Sequence, residues 1–182
     1  MKKAAKIILG TTLLLFLFRG TVFRSLITYH DVGSRPAIEL GNQDLIQAIK
    51  YESNGQHLDI NDITEIARAL TTAHLSFTIG KASVNPNELV KTKKANCVGY
   101  AAMFNAIAMY MIQEEDLDKE YEIQHKIGKL EFIGIDLHQY SDSPFLKDHD
   151  YNIILNKVTK EEVAIDASVS DYLWVKKVRA AP

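Results

Sequence analysis

The chain has 182 residues, 47% of them apolar and 24% charged. That globular composition excludes a disordered tail, a collagen-like fibre and a polytopic membrane protein, and the length favours one compact domain. The net charge of -2 hides two unlike parts, because residues 1–36 carry +5 and the other 146 carry -7; an acidic body without a basic stripe argues against nucleic-acid binding, whose affinity comes mainly from Lys and Arg on phosphates.

The positive part comes first. Lys2, Lys3 and Lys6 precede an uncharged run over 7–18 (IILGTTLLLFLF), and Arg19 ends it. A basic start before 12 apolar residues reads as an export signal, and the run is short for a spanning helix, which needs about 20 residues. No small-residue cleavage site follows it, and Val22, Phe23, Leu26 and Ile27 extend the apolar character. Residues 1–28 are therefore expected to be a membrane anchor with the body exported; secretion after signal cleavage is the alternative. Gly33-Ser34-Arg35-Pro36 is a breaker cluster, so 29–41 reads as a linker and 42–182 as the folded domain.

Within the domain, Asn42 is placed to cap a short helix over 43–52. Asn61 or Asp62 is placed to cap a longer one carrying Ile63, Ile66, Ala67, Leu70, Ala73 and Phe77 at helical spacing, with Gly80 as its stop. Pro86 opens a turn or short helix. Asn96 then caps a run over 97–112 that is apolar almost all round, the pattern of a helix buried at the centre of a domain.

After Glu120 the period changes from helix to strand. Segments 121–127 and 130–137 read as two strands with a hairpin turn at Gly128-Lys129, and Ser141-Asp142-Ser143-Pro144 as a loop. Further strands are expected over 149–155, 162–166 and 172–178. Helices followed by antiparallel strands make an α+β domain.

The lone cysteine, Cys97, can form no internal disulfide and is too few for a structural zinc site, so it is either a buried small hydrophobe or a reactive thiol. It falls in the first turn of the central helix, where unpaired N–H groups and the helix dipole favour a thiolate and could stabilise an oxyanion. If a four-residue loop joins the last two main strands, Leu155 pairs with Lys160 and His149 lies opposite Asp166, close enough for a carboxylate to orient an imidazole. Cys97, His149 and Asp166 then supply nucleophile, base and orienter. His125 and His138 compete for the role of base; His30, His57 and His74 read as surface or helix histidines. Tyr100 and Asn96 read as packing and capping residues, and the acidic stretch over 113–122 as a solvated helix end.

These residues resemble a family. Segment 94–104 (KANCVGYAAMF) looks like the cysteine motif of the transglutaminase-like superfamily, 148–152 (DHDYN) like its His-x-aromatic strand and 164–168 (AIDAS) like its Asp motif. The helix over 63–79 and the link at 88–90 sit where the family has them, so the resemblance covers about residues 60–175. Ala95 stands where the family usually has Gly, and Tyr151 where it commonly has Trp. The resemblance implies a papain-like fold, with Cys97 the nucleophile on a helical lobe and His149 and Asp166 on the sheet. It implies a peptidase, amidase or acyl transferase acting on a protein or peptide through a thioester, with no cofactor or metal. The alternative is a catalytically silent, membrane-tethered binding domain.

Overall fold

The computed structural model describes residues 2–140 and 148–181; the loop expected at 141–144 lies outside them. The chain is α+β. Its elements are α1 (Lys2–Leu17), α2 (Arg19–Leu26), β1 (Ile27–Arg35), α3 (Gln43–Ser53), α4 (Ile60–His74), β2 (Ser76–Phe77), α5 (Pro86–Thr92), β3 (Lys94–Ala95), α6 (Cys97–Glu114), β4 (Tyr121–Phe132), β5 (Ile135–Asp136), a 3₁₀ turn (Leu137–Tyr140), β6 (His149–Asn156), β7 (Glu162–Ile165) and α7 (Ala167–Leu173).

Helix starts follow side-chain caps. Asn42 Oδ1 accepts the Leu45 N–H at 3.1 Å, and Asn96 Oδ1 accepts that of Gly99 at 3.3 Å. The longer helix begins earlier than expected, because Asp59 and Asp62 form a reciprocal capping box. α6 is buried on nearly every side and packs against α4, β4 and β6. Tyr100, Met103, Phe104 and Ile107 of α6 make the main core together with Ile63, Leu89, Ile154 and Ile165.

The main sheet runs β1-β4-β6-β7, all antiparallel. Three sequence expectations are corrected here. Residues 29–35 of the expected linker are a strand: with Ile27 and Thr28 they form β1, and Tyr29 within it is fully buried. Gly128 is no turn: β4 passes straight through it, paired with His149. A Cβ at Gly128 would come within 2.8 Å of Tyr151 Cε1, so glycine serves packing there. The true hairpin turn is Ile133-Gly134, where two successive positive φ angles (51° and 77°) join β4 to β5. Residues 172–178 form no strand either. α7 ends at Leu173, and Trp174 caps it in the left-handed region.

The carboxy-terminal segment closes the sheet. Val178 N donates to Ala164 O beside β7, while Tyr29 N donates to Arg179 O and Ala181 N to Tyr29 O beside β1. The sheet thereby curls into a small, incomplete barrel. Its interior is a second apolar cluster of Tyr29, Tyr151, Ile153, Ala164, Val175 and Val178.

At the amino end, no single helix among the described residues is long and apolar enough to cross a membrane; the pair Ile8–Leu17 and Arg19–Leu26, bent by 78°, passes that test jointly by length and composition. Phe16 of α1 meets Trp174 edge to face with ring centroids 5.9 Å apart, and Arg19 lies over both rings.

Candidate active site

Ala101 and Asn152 set the relation between α6 and β6: Asn152 Nδ2 donates to the Ala101 carbonyl at 3.1 Å, and Asn152 Oδ1 accepts from Asn105 Nδ2 at 3.3 Å. One helical turn back from Ala101 is Cys97, and three strand residues back from Asn152 is His149. Both moves lead to the same end of the packed pair. Cys97 is free and buried.

The expected His149–Asp166 couple forms, although by another geometry than expected. Asn152 pairs with Ile165 and Leu155 with Glu162, so the register is offset by two residues from the expected one and Asp166 falls just past the end of β7. The cause is the loop, which returns at Asn156 N to Glu161 O. The side chains still meet on the diagonal, within reach for a ring and a carboxylate on the same face. His149 Nε2 is 2.6 Å from Asp166 Oδ2.

Asp166 is held from every side. Its Oδ1 accepts from Ser168 N at 2.9 Å, Ser168 Oγ at 2.7 Å and Val169 N at 3.0 Å, which makes it the N-cap of α7. Its Oδ2 accepts, besides the His149 bond, the Tyr29 hydroxyl at 2.8 Å. Burial opposes its charge, yet His149 and these donors hold its carboxyl below the ordinary range.

Burial likewise works against a charged His149. The Asp166 charge and hydrogen bond, followed by hydrogen bonding and charge from Cys97, outweigh it and push the imidazole well above its usual value. With Nε2 committed to Asp166, Nδ1 is the nitrogen left for the thiol. Cys97 thus lies beside an imidazole whose proton affinity Asp166 raises.

The sign of the pH dependence follows. The His149 imidazolium contributes stability that is complete below about pH 6.5, the unfolded value, and is lost as pH rises through the higher folded value. Asp166 acts oppositely: its contribution is complete above about pH 4 and is lost as pH falls through its depressed value. His149→Asn is therefore expected to lower the melting temperature most between about pH 4 and 6.5, with the gap narrowing at higher pH. Thermal melts across pH check this, and a gap that is flat from pH 5 to 9 contradicts it.

The other histidines have other partners. His125 Nε2 is 2.7 Å from Asp150 Oδ2 on the sheet face toward α6, and Arg35 grips the same carboxylate at 2.5 Å and 3.1 Å. His30 and His57 face Glu131 and Glu115, and His74 bonds the Leu70 carbonyl. The His138 side chain lies outside the described ones. Tyr100 turns to α7, its hydroxyl donating to Asp171 Oδ2 at 2.5 Å, and Asn96 is a cap. Among the described residues no cluster of three or more His, Cys, Asp and Glu side chains could hold a metal ion.

Beside His149 an open, mostly apolar groove of about 420 Å³ is lined by Phe77, Ser168, Val169, Tyr172 and Leu173. A more enclosed hollow, between Ile60, Thr64, Tyr121 and Ile154, is lined by none of Cys97, His149 and Asp166. The groove is the one of the two that touches the imidazole of His149.

Tyr29 is the residue that sequence reasoning missed. Its signal was the alternation of Ile27 and Tyr29 with Thr28 and His30, hidden by the glycine and proline that follow. No family model matches this chain, nor does any curated protein or solved structure.

Proposed function

We propose that the chain is a transglutaminase-like thiol enzyme of papain-like fold that acts on amide bonds, held at a membrane by its amino-terminal segment with the domain exported. The observation that carries this reading is the buried Asp166–His149 couple set beside Cys97 at the start of a central helix. In the proposed reaction His149 takes the proton of Cys97. The thiolate attacks an amide carbonyl, and the leading N–H groups of α6 stabilise the oxyanion. His149 then gives its proton to the leaving amine, which departs as the thioester forms. Water or an amine resolves the thioester, with His149 taking a proton from it and Cys97 leaving as thiolate. The apolar groove beside His149 suits an apolar substrate group.

Because Cys97 is the one cysteine in the chain, the mass gained with iodoacetamide reports its reactivity alone. His149→Asn is expected to slow labelling at pH 6–7 by at least about 100-fold, the low side of what a positioned base contributes, while both proteins label equally in denaturant. Equal rates in the folded state would overturn the reading in favour of a silent binding domain. A substrate profile of the parent protein against Cys97→Ala then separates hydrolysis from acyl transfer.

A further inference from the structure

Asp166 Oδ2 receives two donors, the imidazole of His149 and the phenol of Tyr29. Tyr29 comes from β1, which is three strands away from β7 along the sheet; it reaches Asp166 only because the sheet curls and the carboxy-terminal segment joins its two edges. Its backbone is fixed by that segment through both its N–H and its carbonyl. Its ring meets His149 edge to face at 5.8 Å and Tyr151 at 5.1 Å. The side chain is fully buried, so the hydroxyl has one strong acceptor and the ring one orientation.

From this geometry we infer that Tyr29 is a positioning residue of the triad: it holds the Asp166 carboxylate and one edge of the His149 ring, and so sets how tightly the carboxylate binds the imidazole. The inference rests on the proposed assignment of the triad, and concerns its tuning. Two donors on one carboxylate oxygen divide its charge. Burial, followed by the Asp166 charge, pushes the Tyr29 hydroxyl far above the ordinary tyrosine range, which keeps it a donor to Asp166 at neutral pH. Removing that donor gives the whole of Oδ2 to His149.

The same residue ties the amino-terminal segment to the site. α2 ends at Leu26 and β1 starts at Ile27, with no spacer between. Arg24 of α2 also reaches the Lys177 carbonyl at 3.4 Å. The segment that reads as an anchor thus continues into the strand that completes the catalytic carboxylate's shell.

The test is the titration of His149, followed by NMR on its Cε1–H in the full chain. Tyr29→Phe keeps the ring and removes the O–H, and is expected to raise the midpoint by about half a unit, a shift that a merely structural tyrosine would not produce. Tyr29→Leu, which loses the ring too, is expected in addition to slow iodoacetamide labelling of Cys97 several-fold at pH 6. A measurement without any variant guards against misfolding: the Tyr29 Cζ resonance of the unmodified protein should move with the same midpoint as His149, because both groups share Oδ2. A Tyr29→Phe midpoint equal to the parent's, or a Tyr29 resonance blind to the His149 step, would overturn the inference. Failure of the thiol-enzyme reading shows instead as indifference of Cys97 labelling to His149→Asn, with the shared titration intact.

Discussion

Asp166→Ala is expected to destabilise the fold by about 3–5 kcal/mol, the range for removing one partner of a buried ion pair, and to slow Cys97 labelling by about 100-fold or more. One substitution removes the acceptor of His149 and of Tyr29, the cap of α7 and the partner of the Ser168 hydroxyl. In a chain of this length the loss corresponds to a fall in melting temperature on the order of 10 °C. Asp166→Asn separates the contributions. Asparagine caps a helix about as well as aspartate, yet its neutral amide cannot hold an imidazolium, so the asparagine variant should recover much of the stability and little of the reactivity. Calorimetry beside mass-monitored alkylation reads both. An Asp166→Ala protein that melts within about 2 °C of the parent would show that these bonds do not hold the barrel end together.

The second large effect is expected at Asp150, one residue along from His149 and on the opposite face of the strand. Asp150→Ala strips the acceptor from a buried His125 and from Arg35. Arg35 is 36% exposed and can turn to water, so its share of the loss is small. The expected cost is about 3 kcal/mol, mostly from the stranded imidazole. Cys97 labelling in the folded protein should change far less than in Asp166→Ala, because the substitution leaves the His149–Asp166 bond in place. The double variant His125→Leu, Asp150→Leu should regain part of the stability, as replacing both buried polar partners leaves neither unpaired. Denaturant melts of the single and double variants decide this. A double variant less stable than Asp150→Ala would mean that the couple holds strands β4 and β6 in a way that apolar packing cannot replace.

The contrast between the two His–Asp couples shows what was legible in the residues alone. The helix start at Cys97 was readable because a capping asparagine, a small-residue turn and an unbroken apolar run all point the same way, and Asn96 does cap α6. His149 and Asp166 were readable as neighbours because strand alternation puts them on one face. Their register was not, because it depends on a loop whose length residues 156–161 do not announce. Gly128 misled for a related reason. A glycine within a strand pattern reads as a turn, whereas here it makes room for the Tyr151 ring, a partner from a strand more than 20 positions later. Tyr29, Arg35 and the closing segment share this difficulty at its greatest, since Tyr29 and Arg35 meet side chains 137 and 115 positions away and the closing segment meets Tyr29.

That long-range closure bears on when the proposed chemistry can begin. Tyr29 is among the first residues of the barrel to be synthesised, and its backbone partners at 179 and 181 are among the last. Contacts of such sequence separation carry the highest loop-closure cost and form late in folding. A nascent chain can bury α6 and pair β4 with β6 while the edge beside β1 is still open. On the proposed reading the thiol is then made well before the carboxylate shell that directs its base is complete, so a partly synthesised chain carries a cysteine without the means to use it.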